Sequence, residues 1–240
     1  MLHPNYGTRL KVGMLLPSPN AVAEPQMAAM LPDGVSIHTT RLSLPGGSRE
    51  QLKAMTEKVD EGARLLADAR VDLIAFHCTA ASTLEPGLIE DIKMSIEDQT
   101  GIRATTTGHA AVQALRTLKA QRIAFVCPNR LETHEREVQF FRNHGFEVVA
   151  DRCMGVVEAE KFLAIKPKSF VDLVLDLKTD SADAIFIGCT AVRSAEAIED
   201  LEAQLGIPVL TSNQAMVWHA LRHCSILDQV HGFGRLLNAH

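Results

Sequence analysis

The 240-residue sequence has no run of roughly 18 apolar residues, the length a membrane-spanning helix needs. Its opening stretch, MLHPNYGTRLKVG, lacks the apolar centre of a secretory signal, so the cytoplasm is the expected location. A cationic field is also missing. The formal net charge is −5, and the strongest short basic stretch, Lys166-Pro-Lys168, is too small to hold a polyanion, so neither a nucleic acid nor a membrane is an expected partner. The five cysteines (78, 127, 153, 189 and 224) include no CxxC pair. In a reducing compartment they form no disulfide framework, and each needs its own explanation. The sequence contains no GxxxxGK[ST], GxGxxG, HExxH or GxSxG, and its ten histidines lack ligand spacing. No metal and no organic cofactor is therefore expected.

What is present is a hydrophobic content of 46%, enough for a sizeable core. Short β-branched or apolar runs alternate with longer segments in which apolar residues recur every three or four positions. That alternation predicts an α/β fold of parallel strands joined by right-handed helical crossovers. Strands are expected over residues 11–16, 35–41, 71–77, 103–106, 122–127, 147–150, 184–188 and 208–211, as two sets of four. Covering helices are expected over 50–69, 84–100, 110–119, 131–144, 169–178, 194–205 and 214–222.

The two sets repeat one another, in order. Leu16-Pro-Ser-Pro-Asn20 and Val126-Cys-Pro-Asn129 each set an asparagine beyond a strand's carboxyl end. Phe76-His-Cys-Thr-Ala-Ala-Ser82 matches Ile187-Gly-Cys-Thr-Ala-Val-Arg-Ser194, each after an aspartate-led apolar strand. Gly101-Ile-Arg-Ala-Thr-Thr-Thr-Gly-His109 parallels Gly206-Ile-Pro-Val-Leu-Thr-Ser-Asn-Gln214. Asn20 and Cys78 lie 58 residues apart, and Asn129 and Cys189 lie 60 apart. A duplicated α/β unit packs its halves about a pseudo-twofold axis, with ligand in the crevice at the strands' carboxyl ends. We therefore expect two open four-stranded parallel sheets flanked by helices, with the active site between them. Residues 1–118 with 214–240 would form the first lobe and its returning C-terminal helix, and 119–213 the second.

A cysteine after a strand and before a turn of small and hydroxyl residues faces free backbone N–H groups, which favour a thiolate and can hold a carboxylate. Thr79 and Thr190 add hydroxyl donors, and Ala80 and Ala191 continue the turns. The plain alternative for any single cysteine is core packing. Recurrence of the Cys-Thr-Ala segment at both strand ends argues against it for Cys78 and Cys189. Two thiols on opposite faces of a small acid supply a base and an acid without a cofactor. They suffice for racemisation, for cis–trans isomerisation through an adduct, or for protonation after decarboxylation. Asn20 and Asn129 could bind a carboxylate or simply make Asx-turns. His77 adjoins Cys78 but points to the opposite face of its strand, which favours a structural role. Cys127 is a further candidate to line the cleft; Cys153, Cys224, His109 and His219 have no duplicate and look like packing or helix-face residues.

Taken together, Pro17-Ser-Pro-Asn20 with Glu24 and Met27, the two cysteine segments, Gly206-Ile-Pro-Val-Leu-Thr-Ser212 and Gly232-Phe-Gly-Arg-Leu-Leu237 resemble the aspartate/glutamate racemase superfamily. Within it the chain resembles the branch of maleate cis–trans isomerases and arylmalonate decarboxylases, over nearly its whole length. The resemblance implies a cofactor-free site in which Cys78 attacks an unsaturated diacid, leaving a succinyl-like adduct. Cys189 would give or take a proton, Asn20 would hold a carboxylate, and the product would be fumarate. The decarboxylases resemble the chain less, since they keep only the second-lobe cysteine. Maleate isomerases similar to it show tyrosine where Asn129 stands and an asparagine near Val157-Glu-Ala159, two departures at positions that contact the diacid. The expected function is maleate-to-fumarate isomerisation, with a two-thiol racemase or epimerase of an amino acid or hydantoin, an arylmalonate-type decarboxylase and a non-catalytic acid-binding module as alternatives. A small carboxylic acid is the expected partner, and a homodimer or homotetramer the expected assembly.

Overall fold

The computed structural model describes residues 5–240; residues 1–4 of the first expected lobe, and the side chains at 159 and 160, lie outside the described part. The first half runs β1 (Leu10–Pro17), α1 (Ala23–Ala28), β2 (Val35–Leu42), α2 (Arg49–Thr56), α3 (Val59–Asp68), β3 (Leu73–Phe76), α4 (Thr79–Ser82), α5 (Leu88–Thr100), β4 (Ala104–Thr106) and α6 (Thr107–Thr117). The second runs β5 (Arg122–Cys127), α7 (Leu131–Asn143), β6 (Glu147–Cys153), α8 (Pro167–Leu175), β7 (Ala184–Ile187), α9 (Ile198–Leu205) and β8 (Val209–Thr211), followed by α10 (Ser212–His223) and α11 (Gly234–Ala239). The strand orders are β2-β1-β3-β4 and β6-β5-β7-β8, and the pairings are parallel. Two four-stranded parallel sheets, expected from the alternating pattern, are what the chain forms. β3 and β7 are buried along their whole length, as strands covered on both faces must be.

The repeated sequence has a physical cause, because the same backbone groups are satisfied in the same way in both halves. Asp72 accepts the N–H of Lys11 at 2.7 Å and Asp183 that of Arg122 at 2.8 Å, pinning the start of each second inner strand to the first. Glu97 accepts the N–H of Ala104 and Glu202 that of Val209. Gly101 and Gly206 end α5 and α9 in the left-handed conformation, at φ 69° and 73°, where a side chain would be strained. Thr106 and Thr211 then cap α6 and α10 through their hydroxyls.

Several boundaries differ from expectation. The helix expected over 50–69 breaks into α2 and α3 after Thr56, whose hydroxyl donates to the Lys53 carbonyl, a local bond that competes with the helix ladder. The helix expected from residue 84 starts at Leu88, because Pro86 and the left-handed Gly87 (φ 83°) precede it. β6 runs three residues beyond the expected end, through exposed Asp151 and Arg152, an edge strand without an apolar pattern. α10 packs on α6 and α1, whereas α11 lies against α9 and β8.

Candidate active site

The chemistry-bearing residues gather where the two sheets present their carboxyl ends to one another. β1 ends in Pro17, and the Asn20 N–H turns back to the Pro17 carbonyl at 3.0 Å. Asn20 Oδ1 accepts the N–H groups of Val22 and Ala23, both at 3.0 Å, so the Asx-turn forms. Its Nδ2 donates to Thr190 Oγ1 across the cleft at 3.0 Å, which leaves one amide hydrogen for a ligand.

Cys78 follows β3 in extended conformation (φ −154°, ψ 112°) and stands before the first turn of α4, where the N–H groups of Ala80 and Ala81 point at its sulfur. These donors favour a thiolate, as the turn sequence suggests, but burial outweighs them. Removal from water, with the nearby Glu137 charge, pushes the Cys78 thiol up to about 12. Cys189 is held differently. Its φ of 87° is a left-handed backbone that residues other than glycine seldom adopt, and the Ala191 N–H lies 3.4 Å from its sulfur. Burial raises this thiol too, with smaller contributions from Glu137 and from Cys78. Both sulfurs are therefore neutral thiols near pH 7.

A polar floor supports them. Thr79 Oγ1 and Ser212 Oγ are 2.9 Å apart. Asn213 donates its Nδ2 to Gln26 Oε1 and to the Thr190 carbonyl, so its Oδ1 faces His77 Nε2 at 2.8 Å and that ring nitrogen carries the proton. Burial lowers His77 to about 4, leaving it neutral. His77 thus ties α10 beneath the site and faces away from Cys78, the structural role its strand position suggested.

Asn129 breaks the pseudo-symmetry. Its Nδ2 lies 3.1 Å from both carboxylate oxygens of Glu137, a fully buried residue of α7. Burial raises Glu137 to about 7 against the opposing hydrogen bonds from Asn129 and Cys127. Cys127 does not line the cleft. Its sulfur lies 3.3 Å from His134 Nδ1, and His134 Nε2 continues to Asp151 at 2.7 Å, so a polar chain runs inward from exposed Asp151 through His134, Cys127 and Glu137 to Asn129.

Cys78, Cys189, Asn20, Thr79, Ala80, Asn129, Thr190 and Ala191 all line one cavity of about 90 Å³. A water needs roughly 10–15 Å³ of such space, so the cavity has room for a small molecule and not merely a single water. Leu44, Leu52, Val156, Val157 and Phe162 wall it with apolar surface, and Arg130 and the Gly46–Gly47 loop stand at its edge. Arg130 at the edge and Glu137 behind Asn129 have no counterpart in the repeat. Glu137 carries a detectable signal: it falls one turn before Phe140 and Phe141 on the buried stripe of α7. Arg130, following Asn129, carries none. Among the described residues no group of three His, Cys, Asp or Glu side chains could hold a metal ion.

Residues 12–237 match the family model described as arylmalonate decarboxylase. A maleate isomerase of Geobacillus stearothermophilus is 27% identical over 243 residues, covering 95% of this chain and 97% of that protein. An arylmalonate decarboxylase of Bordetella bronchiseptica is 25% identical, covering 95% and 96%. Among solved structures, a cysteine-to-serine variant of the Nocardia farcinica maleate cis–trans isomerase with a covalently bound succinylcysteine intermediate superposes with a TM-score of 0.91. It is 26% identical and the match covers 96% of this chain and 99% of that one.

Proposed function

The chain belongs to the arylmalonate decarboxylase family, and on that footing we propose that it is a cofactor-independent cis–trans isomerase of a small unsaturated dicarboxylic acid, converting maleate to fumarate. The convergence of Cys78 and Cys189, one from each sheet, on a single small cavity carries the proposal. The maleate isomerases that match along nearly the whole chain, and the succinylcysteine captured in one of them, support the same chemistry.

In the proposed cycle the Cys78 S–H adds across the double bond. Its sulfur bonds to one alkene carbon as the π bond breaks, Cys189 gives its proton to the other carbon, and the proton leaving Cys78 restores the Cys189 thiol. The resulting succinyl thioether turns about what is now a single bond. The same steps run backward then release the trans acid and return both thiols. Because both thiols begin neutral, the addition leaves no uncompensated charge on sulfur in a buried site. Thr190 accepts from Asn20, so its own hydroxyl hydrogen and the spare Asn20 amide hydrogen are available to one substrate carboxylate.

With this activity go three further assignments: residues 1–118 with 214–240 as the first lobe and 119–213 as the second, a cytoplasmic location, and a homodimer or homotetramer. Among the described residues no helix is long and apolar enough to cross a membrane.

The test is to incubate the protein with maleate and with a panel of unsaturated diacids, following fumarate and the intact protein mass. The expected result is fumarate from the wild type, none from Cys78→Ala, and a mass increase on Cys78 in Cys189→Ser. Wild-type protein that gives neither product nor adduct with any diacid rejects the proposal.

A further inference from the structure

We propose that Arg130 makes the cleft selective for a dicarboxylic acid by binding the carboxylate at the end of the substrate away from Asn20. This rests on the isomerase proposal for the identity of the acid, while the contact itself can be tested without turnover.

Among the described residues lining the cavity, Arg130 is the one charged side chain. Arg49, Arg136 and Arg193 pair with Glu85, Glu132 and Glu196. Arg130 forms no such ion pair among the described residues: the exposed Glu50 carboxylate feels its charge without contacting it, and Arg130 makes no side-chain hydrogen bond at the helix end it precedes. It is half-buried rather than free in solvent. Its Nη2 lies 3.4 Å from the point where a side chain on Gly47 would begin, so the guanidinium reaches from the second lobe to the Gly46–Gly47 loop of the first and stands over the cavity.

The donors around the site point the same way. One carboxylate is served by Asn20 and Thr190. For the second, the neighbouring candidate is Asn129, but its Nδ2 faces both Glu137 oxygens and its carbonyl Oδ1 is the end turned from them. An acceptor backed by a buried carboxyl does not attract a carboxylate. Arg130, the next residue along the chain, offers five N–H donors and a fixed positive charge, a geometry that can grip a carboxylate through two parallel hydrogen bonds. A monoacid would leave that charge without a ligand.

Succinate, a saturated dicarboxylate that cannot undergo addition, separates binding from chemistry, and butyrate is the monoacid control. Calorimetric titration of the wild type, Arg130→Gln and Arg130→Lys should show succinate affinity falling roughly 10- to 100-fold in Arg130→Gln, the loss typical of a charged hydrogen-bonding partner. Arg130→Lys should fall in between, and butyrate affinity should stay unchanged in both variants. With maleate, Arg130→Gln should raise KM by a larger factor than it lowers kcat. Equal succinate affinity in wild type and Arg130→Gln would overturn the assignment, as would equal losses for succinate and butyrate. If succinate binding needs Arg130 while wild type yields neither fumarate nor adduct, the isomerase proposal fails and the dicarboxylate site stands.

Discussion

Asn20 donates its amide hydrogen to Thr190 Oγ1 at 3.0 Å, a bond that crosses the cavity from the loop after β1 to the turn after β7. The same asparagine caps the chain entering α1 through its carbonyl oxygen, so it links local structure, lobe-to-lobe packing and the ligand site. Thr190→Val removes the cross-cleft bond and, with it, the hydroxyl hydrogen offered to the substrate, and is expected to cost about 1 kcal/mol in stability while raising KM for maleate. Asn20→Ala loses the turn as well, and should cost about 1–2 kcal/mol. Urea unfolding and steady-state kinetics on both variants check this; a Thr190→Val protein that matches wild type in both measurements would show that the bond does not hold the lobes in register.

Neutral thiols have a chemical signature. Iodoacetamide should label Cys78 and Cys189 more slowly than free cysteine near pH 7, with rates still rising well above pH 9. Glu137 adds to the elevation of both thiols when it is ionised, so Glu137→Gln should label faster than wild type above pH 7. Peptide-resolved mass spectrometry reads each site, and identical rates in the two proteins would count against the coupling.

Stability against pH carries two opposing contributions. His77 and His219 fold with their protonation depressed to about 4 and about 3 by burial, helped at His219 by the neighbouring His109 and His223. The unfolded chain binds these protons first, so their contribution is complete above the ordinary histidine range and is lost as pH falls through it. Glu137 has the other sign. Its folded value, about 7, lies above the ordinary carboxylate range, so its stabilising proton is held below that range and lost as pH rises through 7. From pH 5 to pH 8 the stability of Glu137→Gln relative to wild type should therefore rise, by on the order of 2 kcal/mol. Urea midpoints of both proteins across that range measure it, and a difference that stays flat would show Glu137 to be ionised throughout.

Gly188, immediately before Cys189, has no room for a side chain. A Cβ there would lie 2.9 Å from Phe125 Cε2 and 3.0 Å from Phe125 Cζ, within a cluster of rings formed by Phe125, Phe141, Phe186 and His134. Gly188→Ala should cost about 1–3 kcal/mol through overpacking and lower kcat further by displacing the Cys189 thiol. A variant with wild-type kcat would mean that the ring cluster yields instead of the backbone.

The sheets and the paired cysteines were legible in the sequence because duplication repeats backbone requirements: an aspartate at the strand start, a left-handed glycine and a capping threonine recur as residue types at fixed places. The break after Thr56 was not, since it depends on one hydroxyl turning toward a carbonyl. Nor was the division of labour between the asparagines. Asn20 and Asn129 occupy matching places, yet one bonds across the cleft and the other turns to Glu137, a helix glutamate whose burial is decided by the packing of α7. Arg130 belongs to no repeated segment, and only the fold brings it over the cavity beside the Gly46–Gly47 loop.

The backbone at Cys189 bears on how such a protein could change over generations. At φ 87° glycine rests without strain, whereas another residue there bears a penalty on the order of 1–3 kcal/mol. Cys78, extended at the mouth of α4, is under no such tension. Cys189→Gly should therefore melt no lower than wild type while being inert. A substitution at residue 189 can thus silence the chemistry without unfolding the protein, so stability alone would not select against its loss.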